Sequence, residues 1–231
     1  METENTMRVT LIRHGKTRGN IERRFCGCRT DEPLTEEGRS ALKCIDGAAE
    51  DSLIFVSPML RARETAGILF PGRDLIEVDE LKEMDFGIFE PHNHEELDGN
   101  PDYQAWIDSG GTMQVPGGES MKSFVQRTMT GLAKAVKHAS SNDTDEIYIV
   151  AHGGTIMSVM GALTHLNYYD FLVENGCGFT FDLEVDDAGN IVAAGTYDSF
   201  RSGVRAGSSD RGSSQNASSG KMDRFVDRIF R

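Results

Sequence analysis

Short apolar runs alternate along this chain with longer stretches in which apolar residues recur at helical spacing. The runs are typical of buried strands and cover residues 9–12, 53–56, 75–78 and 147–150. The periodic stretches predict helices from a Thr35 N-cap to about Glu50, over 61–69, from Glu119 or Ser120 to about His138, and over 156–163. Alternation of strands and helices favours a largely parallel sheet.

Two later segments, 179–185 and 191–196, alternate apolar and polar residues around the sequence DDAGN, which predicts a hairpin. Antiparallel strands often lie at the edge of an otherwise parallel sheet. We therefore predict an α/β fold: a single three-layer α/β/α domain over residues 1–200, with a mostly parallel central sheet and an antiparallel edge. Residues 83–116 follow neither pattern and are expected to form an irregular cap region.

The last part of the chain has a different composition. Residues 201–220 are mostly Ser, Gly and Arg, which cannot bury enough apolar surface to order themselves, so a flexible linker is predicted. Residues 221–231 place apolar side chains at helical spacing beside arginines, which predicts an amphipathic basic helix. Its partner is left open between the domain's own acidic surface, another protein and a membrane surface. A homodimer is also left open.

The composition of the chain argues against nucleic-acid-binding and membrane-spanning proteins. The formal charge of −13 argues against a nucleic-acid-binding surface. No stretch reaches the roughly 18 apolar residues of a membrane span, and the first residues do not resemble a signal peptide, so a cytoplasmic location is expected. The four cysteines form no paired pattern and are expected to be reduced: Cys26, Cys28, Cys44 and Cys177.

Candidate chemistry begins at Arg13-His14-Gly15, where the first predicted strand runs into a polar loop. Ligands of open α/β sheets bind at the carboxyl ends of strands. Imidazole is nucleophilic near neutral pH because its pKa is about 6.5. A neighbouring guanidinium can hold a phosphate through two parallel hydrogen bonds. The pair therefore indicates a small phosphorylated substrate and phosphoryl transfer to His14.

Three further segments near predicted strand ends supply groups that this reaction needs. Arg61 lies in the first turn of a helix that follows the second strand, where the helix dipole also favours an anion. His152 follows the strand over 147–150 and precedes another helix. Glu83 follows the third strand and can donate a proton.

These segments, in this order, resemble the histidine phosphatase superfamily, also called the phosphoglycerate-mutase-like family. The resemblance runs from about residue 9 to about residue 197. It rests on Arg13-His14-Gly15, on Asn20 with Arg24-Phe25-x-Gly27, on Pro33-Leu34-Thr35-x-x-Gly38, on residues 57–62, on Glu83 before Phe86-Gly87, and on His152-Gly153-Gly154.

The resemblance implies a role for each matched residue. His14 would be the nucleophile, with Arg13, Arg61 and His152 around the phosphate. Glu83 would protonate the leaving oxygen and then activate water. Substrate contacts would come from Thr17, Asn20, Gly27 and Gly153. The arrangement requires no metal ion or other cofactor.

Within the superfamily the chain is most similar to the α-ribazole phosphatase-like branch, on Glu83-Met84-Asp85-Phe86-Gly87-x-Phe89-Glu90 and Pro116-Gly117-Gly118-Glu119-Ser120. This similarity implies α-ribazole 5′-phosphate as the leading substrate. A phosphoglycerate-type mutase and a non-catalytic module that binds phosphorylated ligands are the alternatives. Pro91 departs from the family pattern, in which glycine follows the glutamate.

Some assignments have competitors nearby. Arg63 competes with Arg61, and Asp85 or Glu90 competes with Glu83 as the proton donor. Redox or metal-binding roles are left open for Cys26-x-Cys28 and His92-x-His94. Four aromatic residues are candidates either for stacking on a flat base or for core packing: Phe25, Phe86, Phe89 and Trp106.

Overall fold

A mixed β-sheet lies at the centre of the protein, whose structure is a computed structural model that describes residues 5–202. Within those residues the sheet has six strands: β1 (Asn5–Arg13), β2 (Leu53–Val56), β3 (Ile76–Glu77), β4 (Glu146–Ala151), β5 (Cys177–Val185) and β6 (Ile191–Arg201). Their spatial order is β3-β2-β4-β1-β5-β6. The first four in this order run parallel, whereas β5 and β6 add an antiparallel edge.

Helices cover both faces of this sheet. They are α1 (Arg18–Ile21), α2 (Glu36–Ala41), α3 (Leu60–Leu69), α4 (Pro101–Asp108), α5 (Met121–Ser140) and α6 (Gly153–Thr164). Short 3₁₀ segments occur at Asp79–Leu81, Gly87–Phe89 and Tyr168–Phe171. One apolar core lies between the sheet and α5 and α6, and a second lies between the opposite face and α3. The predicted three-layer α/β/α fold with its antiparallel edge is therefore confirmed.

The register of the parallel strands brings three polar residues to one edge of the sheet. Arg13 pairs with Ala151 at the ends of β1 and β4, and Val56 of β2 pairs with Val150. The next residue of each strand continues the ladder, since the His14 amide donates to the Ala151 carbonyl at 2.9 Å. The carboxyl ends of β1, β2 and β4 therefore place His14, Ser57 and His152 side by side.

Two predicted elements were wrong in extent. The helix expected to reach Glu50 ends at Ala41, because Leu42 turns extended and packs into the second core. The chain then runs along the end of α3, where the Ile45 amide donates to the Leu69 carbonyl at 2.9 Å. The cap region is not wholly irregular, because Asn100 caps α4 and Pro101 occupies its first turn.

The tail predictions have different outcomes. Arg201, the first residue of the predicted linker, is the last residue of β6. The rest of the predicted linker, from 203 onward, and the amphipathic helix over 221–231 lie outside the described residues. No helix within residues 5–202 is long and apolar enough to cross a membrane.

Candidate active site

His14 lies at the tip of β1 with a defined hydrogen-bonding state. Its Nδ1 lies 2.7 Å from the Gly15 carbonyl oxygen. Because a carbonyl can only accept, Nδ1 carries the proton and Nε2 keeps its lone pair. No hydrogen-bond partner for Nε2 is found among the described residues. Burial, followed by the positive charges of Arg61 and Arg13, holds the pKa of His14 well below its usual range. His14 is thus a neutral imidazole with a free nucleophilic nitrogen.

His152 lies beside His14, with their ring centroids 5.2 Å apart. Arg61 Nε donates to His152 Nδ1 at 3.2 Å, so the second nitrogen, Nε2, bears the proton and donates to Ser57 Oγ at 2.8 Å. Burial, followed by the charge of Arg61, holds the pKa of His152 well below its usual range. His152 is therefore a second neutral imidazole, fixed at both ring nitrogens.

Arg61 is almost fully buried, and its guanidinium holds a loop. Its terminal nitrogens donate to three backbone carbonyls, those of Cys26, Gly27 and Thr30, at 2.7 to 3.2 Å. Arg63, the competing candidate, is exposed and pairs with Glu77 instead. The structure therefore favours Arg61 as the arginine of the site. It also gives Arg61 a task that the sequence did not indicate, because its side chain ties the loop over 26–30 to His152.

Glu83 follows the 3₁₀ segment Asp79–Leu81, and its carboxylate is buried. The backbone amides of Met84 and Gly154 donate to its two oxygens at 2.8 and 3.0 Å. Burial raises the pKa of Glu83 although these amides and both arginines oppose the shift. A carboxyl group that keeps its proton to higher pH is suited to act as a general acid.

One cleft of about 620 Å³ joins His14 and Glu83. Its polar floor includes Arg13, His14, Glu83 and Gly153. Its walls also include aromatic and other apolar side chains: Phe25, Leu42, Met84, Phe86, Trp106, Met121, Met157, Tyr168, Tyr169 and Leu172. Arg61 and His152 lie behind this floor and are not among the lining residues, so their predicted contact with phosphate stays a prediction.

The residues predicted to contact substrate divide into two groups. Asn20 and Gly153 line the cleft. Thr17 is buried, and its hydroxyl belongs to the capping box of α1 with Asn20. Gly27 is a close-packing position, because a Cβ there would lie 2.1 Å from the Met84 carbonyl oxygen. In the structure Thr17 caps α1 and Gly27 packs against Met84, and their predicted contact with substrate stays a prediction.

The structure also locates the competing proton donors and the aromatic candidates. Asp85 pairs with Arg29, and Glu90 accepts hydrogen bonds from Thr30 and the Phe86 amide, and neither lines the cleft. Of the four aromatic candidates, Phe89 is fully buried in the cap, whereas the other three contribute to the cleft wall. Residues 5–202 contain no cluster of three or more side chains that could hold a metal ion.

Two residues that hold the site were missed from the sequence. Ser57 fixes His152, and Asn175 donates to the His14 carbonyl at 2.9 Å. The position of Ser57 directly after a predicted strand was a usable signal. Asn175 offered none, since its role depends on how the segment before β5 folds back against β1.

Gly154 gives a direct test of the Glu83 position. A Cβ there would lie 2.3 Å from Glu83 Oε1, so Gly154→Ala must displace the carboxylate. We expect a loss of turnover of about 10- to 100-fold, the scale of an ångström-sized displacement of a reacting group. The matched control is Gly67→Ala in α3, where no atom lies within 4 Å of an added Cβ. It should keep full turnover and stabilise the helix by about 0.5–1 kcal/mol in denaturant unfolding. Equal turnover of the two variants would contradict the expectation.

Known proteins that resemble this chain include phosphatases and phosphoglycerate mutases. The model of the histidine phosphatase superfamily (branch 1) matches residues 9–186. The chain is 28% identical over 187 residues to an adenosylcobalamin/alpha-ribazole phosphatase of Salmonella typhimurium, covering 77% of this chain and 91% of the relative. It is 29% identical over 175 residues to the 2,3-bisphosphoglycerate-dependent phosphoglycerate mutase 2 of Gloeobacter violaceus, covering 69% and 76%. The crystal structure of the alpha-ribazole phosphatase from Shigella flexneri matches with a TM-score of 0.65 and 25% identity, covering 82% of this chain and 96% of that one.

Proposed function

Because this chain belongs to the histidine phosphatase superfamily and is a phosphatase, we propose that it hydrolyses a small phosphomonoester through a phosphohistidine on Nε2 of His14. The observation that carries the proposal is the state of His14. Its Nδ1 is held by the Gly15 carbonyl, its Nε2 is unpartnered among the described residues, and it shares one cleft with Arg13 and Glu83. A nucleophile, a cation and a carboxyl group with a raised pKa therefore face one space.

In the first half-reaction the lone pair of His14 Nε2 forms a bond to phosphorus, and the bond from phosphorus to the ester oxygen breaks. The electron pair of that bond goes to the leaving oxygen, which takes the proton of Glu83 and departs as an alcohol. Burial favours the protonated form of Glu83 needed at this point. The step leaves a phosphohistidine and a Glu83 carboxylate.

In the second half-reaction the Glu83 carboxylate takes a proton from water, and the water oxygen attacks phosphorus. The bond from Nε2 to phosphorus breaks, its electron pair returns to the imidazole, and inorganic phosphate leaves. Glu83 is again protonated. One carboxyl group thus acts first as acid and then as base.

Positive groups gathered at the strand ends would stabilise the transferring phosphoryl group. Arg13 lines the cleft, Arg61 lies behind it, and the amide of Gly153 lies at the first turn of α6. The protein is acidic overall, so these groups concentrate positive charge where an anion must bind. Together, the two arginines and the helix N-terminus would allow a protein of negative net charge to attract a phosphate ester.

For the substrate, we propose α-ribazole 5′-phosphate. Two relatives bear the name of alpha-ribazole phosphatases. The aromatic side chains of the cleft are of the kind that pack against a flat ring system, which this ester carries on the ribose that bears its phosphate. The phosphoglycerate mutase relative supports a second candidate, in which the phosphoryl group returns to a substrate hydroxyl in place of water.

The test is release of phosphate from α-ribazole 5′-phosphate, p-nitrophenyl phosphate and 3-phosphoglycerate in the presence of EDTA. Preference for α-ribazole 5′-phosphate by orders of magnitude would support both the chemistry and the substrate. Equal and slow release from every ester would keep the chemistry and remove the substrate. Transfer between the hydroxyls of phosphoglycerate without release would favour the mutase, and phosphate affinity without any transfer would favour the binding module.

The pH dependence of kcat/KM is a further expectation. His14 must be neutral to attack, so the rate rises as pH passes upward through its pKa, which lies well below the usual value of about 6.5. Glu83 must be protonated, so the rate falls as pH passes through its raised pKa. We expect a bell-shaped profile whose acid limb lies below that of an ordinary histidine. In Glu83→Gln the alkaline limb should disappear relative to the wild type, and an unchanged limb would contradict the assignment.

We also propose that the reaction takes place in the cytoplasm. All four cysteines are free thiols in the structure. Burial raises the pKa of Cys26 to about 12 and that of Cys28 to about 11, so neither is an activated thiolate. Unpaired thiols suit a reducing compartment.

A further inference from the structure

The segment before β5 is hydrogen-bonded to the end of β1 through one backbone amide and one side chain. The antiparallel pairing of the two strands ends with Ile12 opposite Gly178. Beyond it, the Gly176 amide donates to the Arg13 carbonyl at 3.0 Å. The following carbonyl, that of His14, accepts instead from the side-chain amide of Asn175 at 2.9 Å. The asparagine side chain thus takes the place of a backbone rung at the residue that carries the nucleophile.

This hydrogen bond clamps one side of a single peptide group. The peptide between His14 and Gly15 is held at its carbonyl by Asn175 and at its amide by Thr65 Oγ1, at 2.8 Å. The next carbonyl, that of Gly15, binds His14 Nδ1. Rotation of the clamped peptide would move the Gly15 carbonyl and, with it, the imidazole. Asn175 therefore restrains the ring although it does not touch it.

The same nitrogen of Asn175 also orients Asn20. It donates to Asn20 Oδ1 at 3.1 Å, and this oxygen further accepts from the amide and the hydroxyl of Thr17 at 3.1 and 3.0 Å. These three donors hold the amide oxygen of Asn20 toward Asn175 and Thr17. Its nitrogen, for which the described residues offer no acceptor, remains for a ligand in the cleft that Asn20 lines.

We propose that Asn175 is a positioning residue for phosphoryl transfer, which aligns His14 Nε2 and turns the Asn20 amide nitrogen toward the transferred phosphate. The inference rests on the proposed function. The property that matters is the donor character of the Asn175 nitrogen, because both of its partners are oxygens that only accept in this geometry. A side chain of the same size that cannot donate a hydrogen bond would not replace it.

The experiment compares Asn175→Ala with Asn175→Asp in the full chain, using p-nitrophenyl phosphate. Alanine removes the donor and should lower kcat about 10- to 100-fold, since misplacement of a reacting group by about 1 Å has effects of that size. Aspartate has the same size but presents oxygen to two oxygens, so it should be slower than alanine at neutral pH. As pH falls and its carboxyl group gains a proton that can be donated, the ratio of the aspartate rate to the alanine rate should rise. Titration of the substrate cancels in this ratio.

Asn190→Ala is the matched control, because its side chain binds Asp186 at 2.9 Å at the opposite end of β5. It should keep the wild-type kcat, even if its unfolding midpoint falls as much as that of Asn175→Ala. Wild-type kcat in Asn175→Ala, or a pH-independent ratio of the two Asn175 variants, would overturn the inference alone. Absence of turnover in the wild-type protein would overturn the proposed function and the inference with it.

Discussion

Replacement of His14 by alanine is expected to lower kcat by about four orders of magnitude or more, because it removes the atom that forms the covalent intermediate. The imidazole is buried at the floor of the cleft, and no other described imidazole lines that cleft. His152 lies 5.2 Å away, but both of its ring nitrogens are engaged. It therefore has no lone pair with which to replace the lost nucleophile.

The measurement is release of phosphate, combined with acid-labile radioactive phosphate on the protein after rapid quenching. His138→Ala is the control, since that histidine is exposed near the end of α5. Inorganic phosphate should bind His14→Ala with nearly wild-type affinity, because the arginines and the α6 N-terminus remain. Substantial turnover by His14→Ala would show that the phosphoryl group does not pass through this residue.

Much of the site could be predicted because it lies at strand ends. Parallel strands with buried carboxyl ends bring the residues that follow them to one edge, and this rule alone places His14 near His152. Glu83 could be located for the same reason, although the strand before it has only two residues. The chemical types of these residues then indicate phosphoryl transfer.

What could not be predicted depends on which way side chains point. Arg61 was expected at the phosphate because a helix N-terminus and a guanidinium both favour anions. Its direction is decided by three carbonyls of the loop over 26–30, and such a tertiary contact has no local sequence pattern. The capping role of the Thr17 hydroxyl was likewise not predicted, although a hydroxyl at this position accepts readily from an otherwise unpaired helix amide.

Long-range contacts explain why one helix was predicted too long and why Asn175 was overlooked. The helix predicted to reach Glu50 carried helix-compatible residues, yet burial of Leu42 outweighed their propensity. Asn175 acts on a residue 161 positions earlier in the chain, and only the register between β1 and β5 brings the two together. A sequence pattern that spans ten or twenty residues cannot indicate a contact between residues so far apart in the chain.

Replacement of Glu83 by glutamine is expected to have the second large effect, and it separates the two half-reactions. Glutamine keeps the shape of the side chain but cannot give or take a proton. An alkyl phosphate needs a proton on its leaving oxygen, so its turnover should fall by about 10²- to 10⁴-fold. p-Nitrophenolate leaves without a proton, so formation of the phosphohistidine from p-nitrophenyl phosphate should be less affected. Its hydrolysis still needs Glu83 as a base.

Glu83→Gln should therefore release a burst of about one equivalent of p-nitrophenol per site and then turn over slowly, with phosphohistidine accumulating. Stopped-flow absorbance measures the burst, and rapid quenching measures the intermediate. Glu90→Gln is the matched control, because burial raises the pKa of Glu90 too while its carboxylate binds Thr30 and the Phe86 amide away from the cleft. If Glu90→Gln produced the burst and Glu83→Gln turned over normally, the proton donor would be Glu90. The burst in Glu83→Gln alone is expected, because Glu83 is the one carboxyl group among residues 5–202 that combines a raised pKa with a place in the cleft beside His14.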